Sequence, residues 1–343
     1  MLVLGIESML PSGKIPSDLL RGLLEGLPGD PSVLVGPGVG LDAAILQGAS
    51  GGRIVVAADP ITFATRRPAR YAVQVNANDI AVMGAGPRWF LATLLFPLGT
   101  SETDVRATFA DLAEACGTLG VSLVGGQSEV TAAVNHTVVA GTMLGELPAD
   151  GVLNRQVSAG DEAWLIGEIA IEGTAILCRE AGPRLTAAGV SADVIAAGTA
   201  LLDAPGISIV APARAAAASG AVAMMHDPTE GGVAGALVEL AGASSLGIVV
   251  DLEAIPVRRE TRTVCAALGI DPLGLLASGA LLLAVRRGQG DSLSAALTQS
   301  RFQGRPIGRF VAGGGVVDAT GAPLPLFERD ELARFLEQGN QPG

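Results

Sequence analysis

Aromatic side chains are scarce, with two Trp, one Tyr and eight Phe in 343 residues. The core therefore has to be Ala, Val and Leu packed around 47 glycines rather than stacked rings. Basic residues are also in deficit, 22 against 34 acidic ones, for a net charge of −12. That balance argues against a nucleic-acid or anionic-membrane surface, either of which needs a basic patch. A phosphorylated ligand would have to be met locally by helix N-termini, a metal and a few placed cations. Cys116, Cys178 and Cys265 lie far apart and form no CxxC. They give no zinc site of any obvious spacing, and buried reduced thiols are expected. Two histidines, His136 and His226, are too few for a His-based metal cluster. The most apolar long window, Gly206 to Met225, is broken by Pro212 and Arg214 and is too weak to span a membrane. No basic n-region precedes Met1 to Leu10, so no signal peptide is expected and the cytoplasm is the expected location. The length suits two domains of ordinary size.

What is present centres on Val73 to Pro87, VQVNANDIAVMGAGP. Alternation over Tyr71 to Val75 predicts a strand, followed by a turn bearing Asn76, Asn78 and Asp79 and a small-residue helix over Ile80 to Ala85. One such side chain suffices to cap a helix. Three of them, with no Lys or Arg beside them, also suit a hard cation such as Mg²⁺ with nucleotide phosphates completing its shell. Two further carboxylates sit at strand ends. Asp42 opens a strand in GPGVGLDAAIL, and Asp59 closes the buried strand Ile54 to Ala58. Any one of these Asp residues alone is more often a turn residue, but carboxylates from three separate segments are how a magnesium site is assembled when no single loop supplies it. The glycines before Asp42 do not fit a dinucleotide-binding fingerprint. Lys14, in the turn LPSGKIP, lacks the spacing of a P-loop.

The remaining motifs are spread along the chain. Glu102 to Leu119 has helical periodicity and reads as a helix covering a sheet. Val121 to Val124 reads as a strand leading into Gly125-Gly126-Gln127-Ser128-Glu129, and Thr137 to Leu144 as a strand closing the first domain. In the second half, Trp164 to Gly167 reads as a strand before a glycine-containing turn and a helix. Pro183 to Ala204 reads as helical, and Ile207 to Ala218 as strand then helix. In MMHDPTEGGV, Asp227, Pro228 and Glu230 fit the N-cap, first and third positions of a helix. Capping does not explain Gly231-Gly232, which cost a helix roughly 1 kcal/mol each and permit close approach of a ligand or backbone. His226 beside them is either a general acid or base or a packed strand residue.

These motifs resemble the AIR synthase-related (PurM-like) superfamily over nearly the whole chain to about Phe310, and within it the HypE-like group. NANDIAVMGAGP is similar to the family's metal-binding turn, Gly13-Lys14 to its mobile segment over the nucleotide phosphates, and Asp227-Pro228-Thr229 with Gly231-Gly232 to its Asp-Pro-Thr-x-Gly-Gly motif. Glu230 stands where Arg is common, and the acid after Gly125-Gly126 arrives late, at Glu129. The resemblance implies an α+β fold of two domains, with an N-terminal mixed sheet that forms a dimer barrel (residues 1–155) and a C-terminal α/β sandwich (156–311), followed by a tail (312–343). It implies ATP and Mg²⁺ as cofactors, the metal on Asp42, Asp59 and Asp79. Nucleotide contacts would come from Lys14, Asn76, Asn78, Gly125, Gly126, Glu129, Gly231 and Gly232, with His226 and Asp227 catalytic. The implied activity is phosphorylation of an amide-like oxygen on a small-molecule or protein-borne acceptor by a homodimer. Two alternatives stay open: a nucleotide-binding maturation or regulatory partner without chemistry, and a small-molecule kinase like thiamine-monophosphate kinase. A HypE tail presents a cysteine, whereas no cysteine follows Cys265 here. The tail helix, Arg329 to Glu337, is instead expected to dock Leu332, Phe335 and Leu336 on the protein's own surface, with residues 338–343 dispensable.

Overall fold

The computed structural model describes residues 14–25, 27–48, 51–62, 66–148, 156–327 and 329–339. After a short helix α1 (Ser17–Leu24), the first half builds one sheet from β1 (Val33–Val35), β2 (Ala44–Gln47), β3 (Arg53–Ala57), β4 (Pro60–Ile61), β5 (Gly86–Pro97), β6 (Ser122–Thr131) and β7 (Val138–Leu147). Their order is β1-β2-β3-β7-β5-β6, with β4 on the far end of β7. All pairs are antiparallel except β5 with β6, which makes the sheet mixed. That parallel pair requires a crossover, and α3 (Glu102–Leu119) supplies it over the residues expected to be helical. Ser101 and Asp104 form a reciprocal capping box at its start, and Gly120 ends it in the left-handed conformation.

The second half carries β8 (Glu162–Ile166), β9 (Val222–His226), β10 (Gly247–Val250), β11 (Leu281–Val285), β12 (Gly304–Val311) and β13 (Val316–Asp318), in the order β13-β10-β12-β8-β11-β9. Helices α4 (Ile171–Glu180), α5 (Gly182–Ala187), α6 (Ala192–Thr199), α7 (Val210–Ala218), α8 (Gly232–Ser244), α9 (Arg259–Leu268), α10 (Gly290–Gln299) and α11 (Glu331–Gly339) pack on it. β9 and β11 are buried along their whole length, as strands covered on both faces must be. The three cysteines are buried and free. No helix among the described residues is long and apolar enough to cross a membrane.

Four expectations are corrected. Tyr71 to Val75 is not a strand, and Asn76, Asn78 and Asp79 are not in a turn. All lie inside α2 (Pro68–Val82), of which only Arg70 and Gln74 are not buried. A helix buried on every side has no polar face, so its sequence shows no 3.6-residue period, and short apolar alternation wins by default. β6 does not stop at Val124 but runs through Gly125 and Gly126 to Thr131. Gly126 has φ 144°, and a Cβ there would lie 1.9 Å from the Ala92 carbonyl oxygen; the glycine serves strand pairing, not a turn. Asp227 is not a helix cap, because α8 starts at Gly232, with Gly231 in the left-handed region at its N-cap. No strand forms over Ile207 to Val210; Ile207 and Ile209 are instead buried in a loop before α7.

The stretch set apart as a tail is integrated into the second half. β13 pairs in parallel with β10, and Leu332 and Phe335 of α11 are in the core, with Leu336 packed against it. The apolar face docks as expected. Residues 340–343 and Gly13 lie outside the described residues.

Candidate functional site

Helix α2 is the wall shared by both halves. Tyr71 and Val75 pack with Ile171, Leu201, Leu202 and Ile207, while Ala81 and Val82 join Trp164, Ile209, Met225 and Leu281. Its two asparagines are fully employed. Asn76 accepts from the Asp59 backbone N–H at 2.9 Å and donates to the Asp59 and Ala72 carbonyls at 3.0 and 2.8 Å. Asn78 donates to the Ile207 carbonyl at 2.9 Å and accepts from Ile209 N–H at 2.8 Å. Asn76 thereby fixes Asp59 at the end of β3, and Asn78 ties the first half to the second. Both amides hold backbone, the use a buried amide must find if it is not to be orphaned.

One residue beyond Asn78, α2 carries Asp79 toward the other acids. Asp79 is buried, and its carboxyl is pushed well up by burial and by the charges of Asp227, Asp59 and Asp42. Asp59 is raised for the same reasons, burial first, with Asp42 and Glu230 adding and Lys14 opposing. Asp227 follows β9, is 2% exposed and is pushed up to about 7 by burial and by Asp42 and Asp59. Its Oδ2 is buried with no hydrogen-bond partner. The structure thus brings the three expected metal carboxylates, Asp42, Asp59 and Asp79, within electrostatic reach of one another and of Asp227.

His226 is clamped between two carboxylates. Nδ1 lies 3.0 Å from Asp42 Oδ2, and Nε2 lies 2.9 Å from Glu239 Oε2. Burial disfavours its charge, but Asp42 and Glu239 outweigh that and lift its pKa to about 10. Ligand atoms of Asp42, His226 and Asp227 lie within 4.8 Å of one another. An imidazolium donating from both nitrogens cannot ligate a cation, which leaves carboxylate oxygens as the donors. The unpartnered Asp227 oxygen and the mutually repelling acids fit a hard divalent cation. Lys14, at the head of α1, donates to Thr229 Oγ1 at 3.3 Å and lies 3.9 Å from Glu239. Burial opposes its charge, and Glu239, Glu230, Asp59 and Asp42 hold its pKa above the ordinary value.

Gly231 and Gly232 form the turn beside this cluster. A Cβ on Gly232 would come 2.3 Å from the Leu273 carbonyl oxygen. The Gly231 N–H is taken by Asp330 Oδ2 at 2.8 Å, from the residue just before α11. Gly125, Gly126 and Glu129 are not in the cleft of this chain. They sit on β6, which is exposed from Ser122 to Val130 at the edge of the sheet.

Sequence reasoning missed Glu239, Thr229, Glu172, Ser278 and Asp330 as residues of the site. Glu239 had a signal, being the one charged residue in the otherwise apolar GVAGALVELAGAS of α8. Glu172 in IEGTAILC is a similar lone acid among small and apolar residues.

Two α+β domains enclosing an acidic, Lys-capped cleft define the class. Residues 40–147 match the AIR synthase related protein N-terminal domain and residues 158–319 its C-terminal domain; the chain belongs to the AIR synthase-related family. It is 29% identical over 320 residues to the carbamoyl dehydratase HypE of Rhodobacter capsulatus, covering 90% of this chain and 88% of that protein. It is 31% identical over 242 residues to the carbamoyl dehydratase HypE of Azotobacter vinelandii, covering 67% of each. A solved structure of hydrogenase maturation protein HypE in complex with ATP shares the fold at a TM-score of 0.69 and 22% identity, covering 91% of each chain.

Proposed function

We propose that the protein is an ATP- and Mg²⁺-dependent enzyme that activates an amide-like or related oxygen of its acceptor by phosphorylation. The observation that carries this reading is the convergence of Asp42, Asp59, Asp79 and Asp227, with one buried carboxylate oxygen unpartnered. Membership of the family and relatives named carbamoyl dehydratase support the same chemistry. Mg²⁺ on Asp42, Asp59 and Asp79 would neutralise charge on the nucleotide phosphates and on the transferred phosphoryl. Lys14 faces the same cleft and would hold phosphate oxygens, whereas the N–H groups of the Gly231-Gly232 turn are already taken by Asp330 and the Thr229 carbonyl. His226, gripped by Asp42 and Glu239, is a poor base at neutral pH and orients Asp42 instead. A nucleotide-binding partner without chemistry would share the binding but show no acceptor-dependent release of ADP, which separates the two readings.

Mg²⁺-ATP is expected to raise the melting temperature. At a hundredfold over Kd the stabilisation is ~2.7 kcal/mol. Asp79→Asn is expected to reduce that shift while the variant stays folded. An equal shift in the wild type, Asp42→Asn and Asp79→Asn would remove the metal assignment.

The protein is further proposed to be a homodimer joined through the edge of the first sheet. β6 presents ten residues of unpaired edge together with Leu123, Val124 and Val130, 44%, 54% and 52% exposed. A long apolar edge is a template for pairing unless covered. Light scattering at micromolar concentration should give twice the chain mass, and replacing Val124 and Val130 by Lys should give monomer. A wild-type monomer in that measurement rules the arrangement out.

A further inference from the structure

A cavity of about 440 Å³ opens beside the acidic cluster and extends away from it. At the near end are Asp59 and Lys14. Its walls come from both halves and are apolar: Tyr71 and Val75 of α2, Ile176 of α4, Leu202 and Leu276. Glu172 and Glu230 also line it, Glu230 close enough to Lys14 and Asp59 to act on the charge of both, together with Ser278 and Ala333 of α11. Apolar walls with a few convergent polar groups are the usual make-up of a small-molecule site.

The charge of the lining is one-sided. Asp59, Glu172 and Glu230 face it against Lys14 alone, and Lys14 is already engaged by Glu239 and Thr229. Glu172 is 8% exposed, and among the described residues its charge partners are the acids Asp330 and Glu230, with no basic residue beside it. Burial drives its pKa up to about 7; a Ser278 hydrogen bond lowers it, and Asp330 and Glu230 raise it further. A carboxyl in that position gains most from a positive charge brought to it. A phosphate or carboxylate beside Glu172 and Glu230 would meet two acids, and the cation lining the same cavity, Lys14, is already held by Glu239 and Thr229.

We propose that this cavity is the acceptor pocket and that it selects a small molecule with a cationic nitrogen head, an ammonium or amidinium, on an apolar body. The head would donate to Glu172 and Glu230 while the body lies along Tyr71, Val75 and Leu276. The reacting group of the acceptor would then point to the Asp59 and Lys14 end. The inference rests on the nucleotide reading of the neighbouring site.

The test uses three isosteres that differ only in the charge and polarity of the head: benzamidine, benzamide and benzoate. Binding of each to the full chain is measured by calorimetry at neutral pH, with and without Mg²⁺ and a non-hydrolysable ATP analogue. Benzamidine is expected to bind about tenfold or more tighter than either isostere, the factor that one extra favourable charge contact supplies. Glu172→Gln and Glu230→Gln should each remove most of that preference; Glu172→Gln should also leave nucleotide binding unaltered, whereas Glu230, whose charge acts on Lys14 and Asp59, is tested by the preference alone. Having two near-isosteric variants keeps the test open if one of them fails to fold. Benzoate or benzamide binding as tightly as benzamidine overturns the proposal, as does a preference that survives both substitutions. Loss of nucleotide binding in the wild type would instead sink the proposed function, and the charge preference is read independently of it.

Discussion

Without divalent cation, the melting temperature is expected to fall as the pH is raised from about 5.5 to about 8.5, and Mg²⁺ is expected to restore much of the loss. The cause is the group of carboxyls whose pKa values are higher in the folded chain than in the unfolded one. Asp227 and Glu172 are pushed up to about 7 and Asp330 to about 6, each chiefly by burial, and Asp59 and Asp79 are raised as well. A carboxyl of this kind contributes stability below its unfolded pKa and loses it as the pH climbs through the folded value. His226, also raised, loses its contribution over the higher range up to about 10. Over this range these shifts point the same way; Glu239, held low against its burial by the hydrogen bond to His226, acts only at more acid pH. Each unit is worth about 1.4 kcal/mol, so Asp227 alone, displaced from 3.8 to about 7, contributes on the order of a few kcal/mol. A cation on the carboxylates favours their charged form, so its effect should be larger at the higher pH. Asp227→Asn should flatten the curve and raise the metal-free stability at high pH, while weakening the response to Mg²⁺. A melting temperature unchanged across this range, in wild type and variant alike, would show that these carboxyls are not strained by burial.

His226→Ala is expected to destabilise the protein by about 3–5 kcal/mol, the usual cost of removing one partner from a buried ion pair. Asp42 and Glu239 would be left facing each other without the imidazolium that now bridges them at 3.0 and 2.9 Å. Glu239→Gln keeps a hydrogen-bond acceptor on Nε2 and should cost less. Urea denaturation of the three proteins measures this directly. Were His226 solely a proton carrier in the reaction, the alanine variant would lose turnover and keep its denaturation midpoint. The two roles are thus separable in one pair of measurements.

The sequence made some of this legible and hid the rest for identifiable reasons. Helix α3 was plain because one face is solvated and its ends are chemically capped by Ser101 and Gly120. The acids Asp42, Asp59 and Asp79 could be grouped because two follow or open apolar strands and the third stands in the Asn-rich cluster, three separate segments that the family resemblance also joins. The secondary structure around Asp79 was misread because burial on all sides of α2 erases periodicity. Asn76 and Asn78 belong to the same error: their backbone partners, Asp59 at one end and Ile207 and Ile209 at the other, are distant in sequence. His226 was noticed, but its clamp was not, since Asp42 and Glu239 lie 184 and 13 residues away. The strand before Gly125 and Gly126 was ended too early, at Val124, because glycine weakens a strand, whereas at Gly126 the parallel neighbour Ala92 approaches too closely for any side chain.

The grip of Asn78 on Ile207 and Ile209 has a bearing on how the cleft discriminates. One helix belongs to the cores of both halves, and a bidentate amide pins it to the second, so the two walls of the cavity are registered against each other before any ligand arrives. The gap between them is a built dimension, like the jaw of a fixed wrench and unlike a hinge that closes to fit. If the cavity takes the acceptor as proposed, one too wide would be turned away by Tyr71 and Leu202, and one too narrow would find no second wall. Broader tastes would require remodelling α2, and that would disturb Asp79, which lies about one turn beyond Val75 and about two beyond Tyr71 on the same helix.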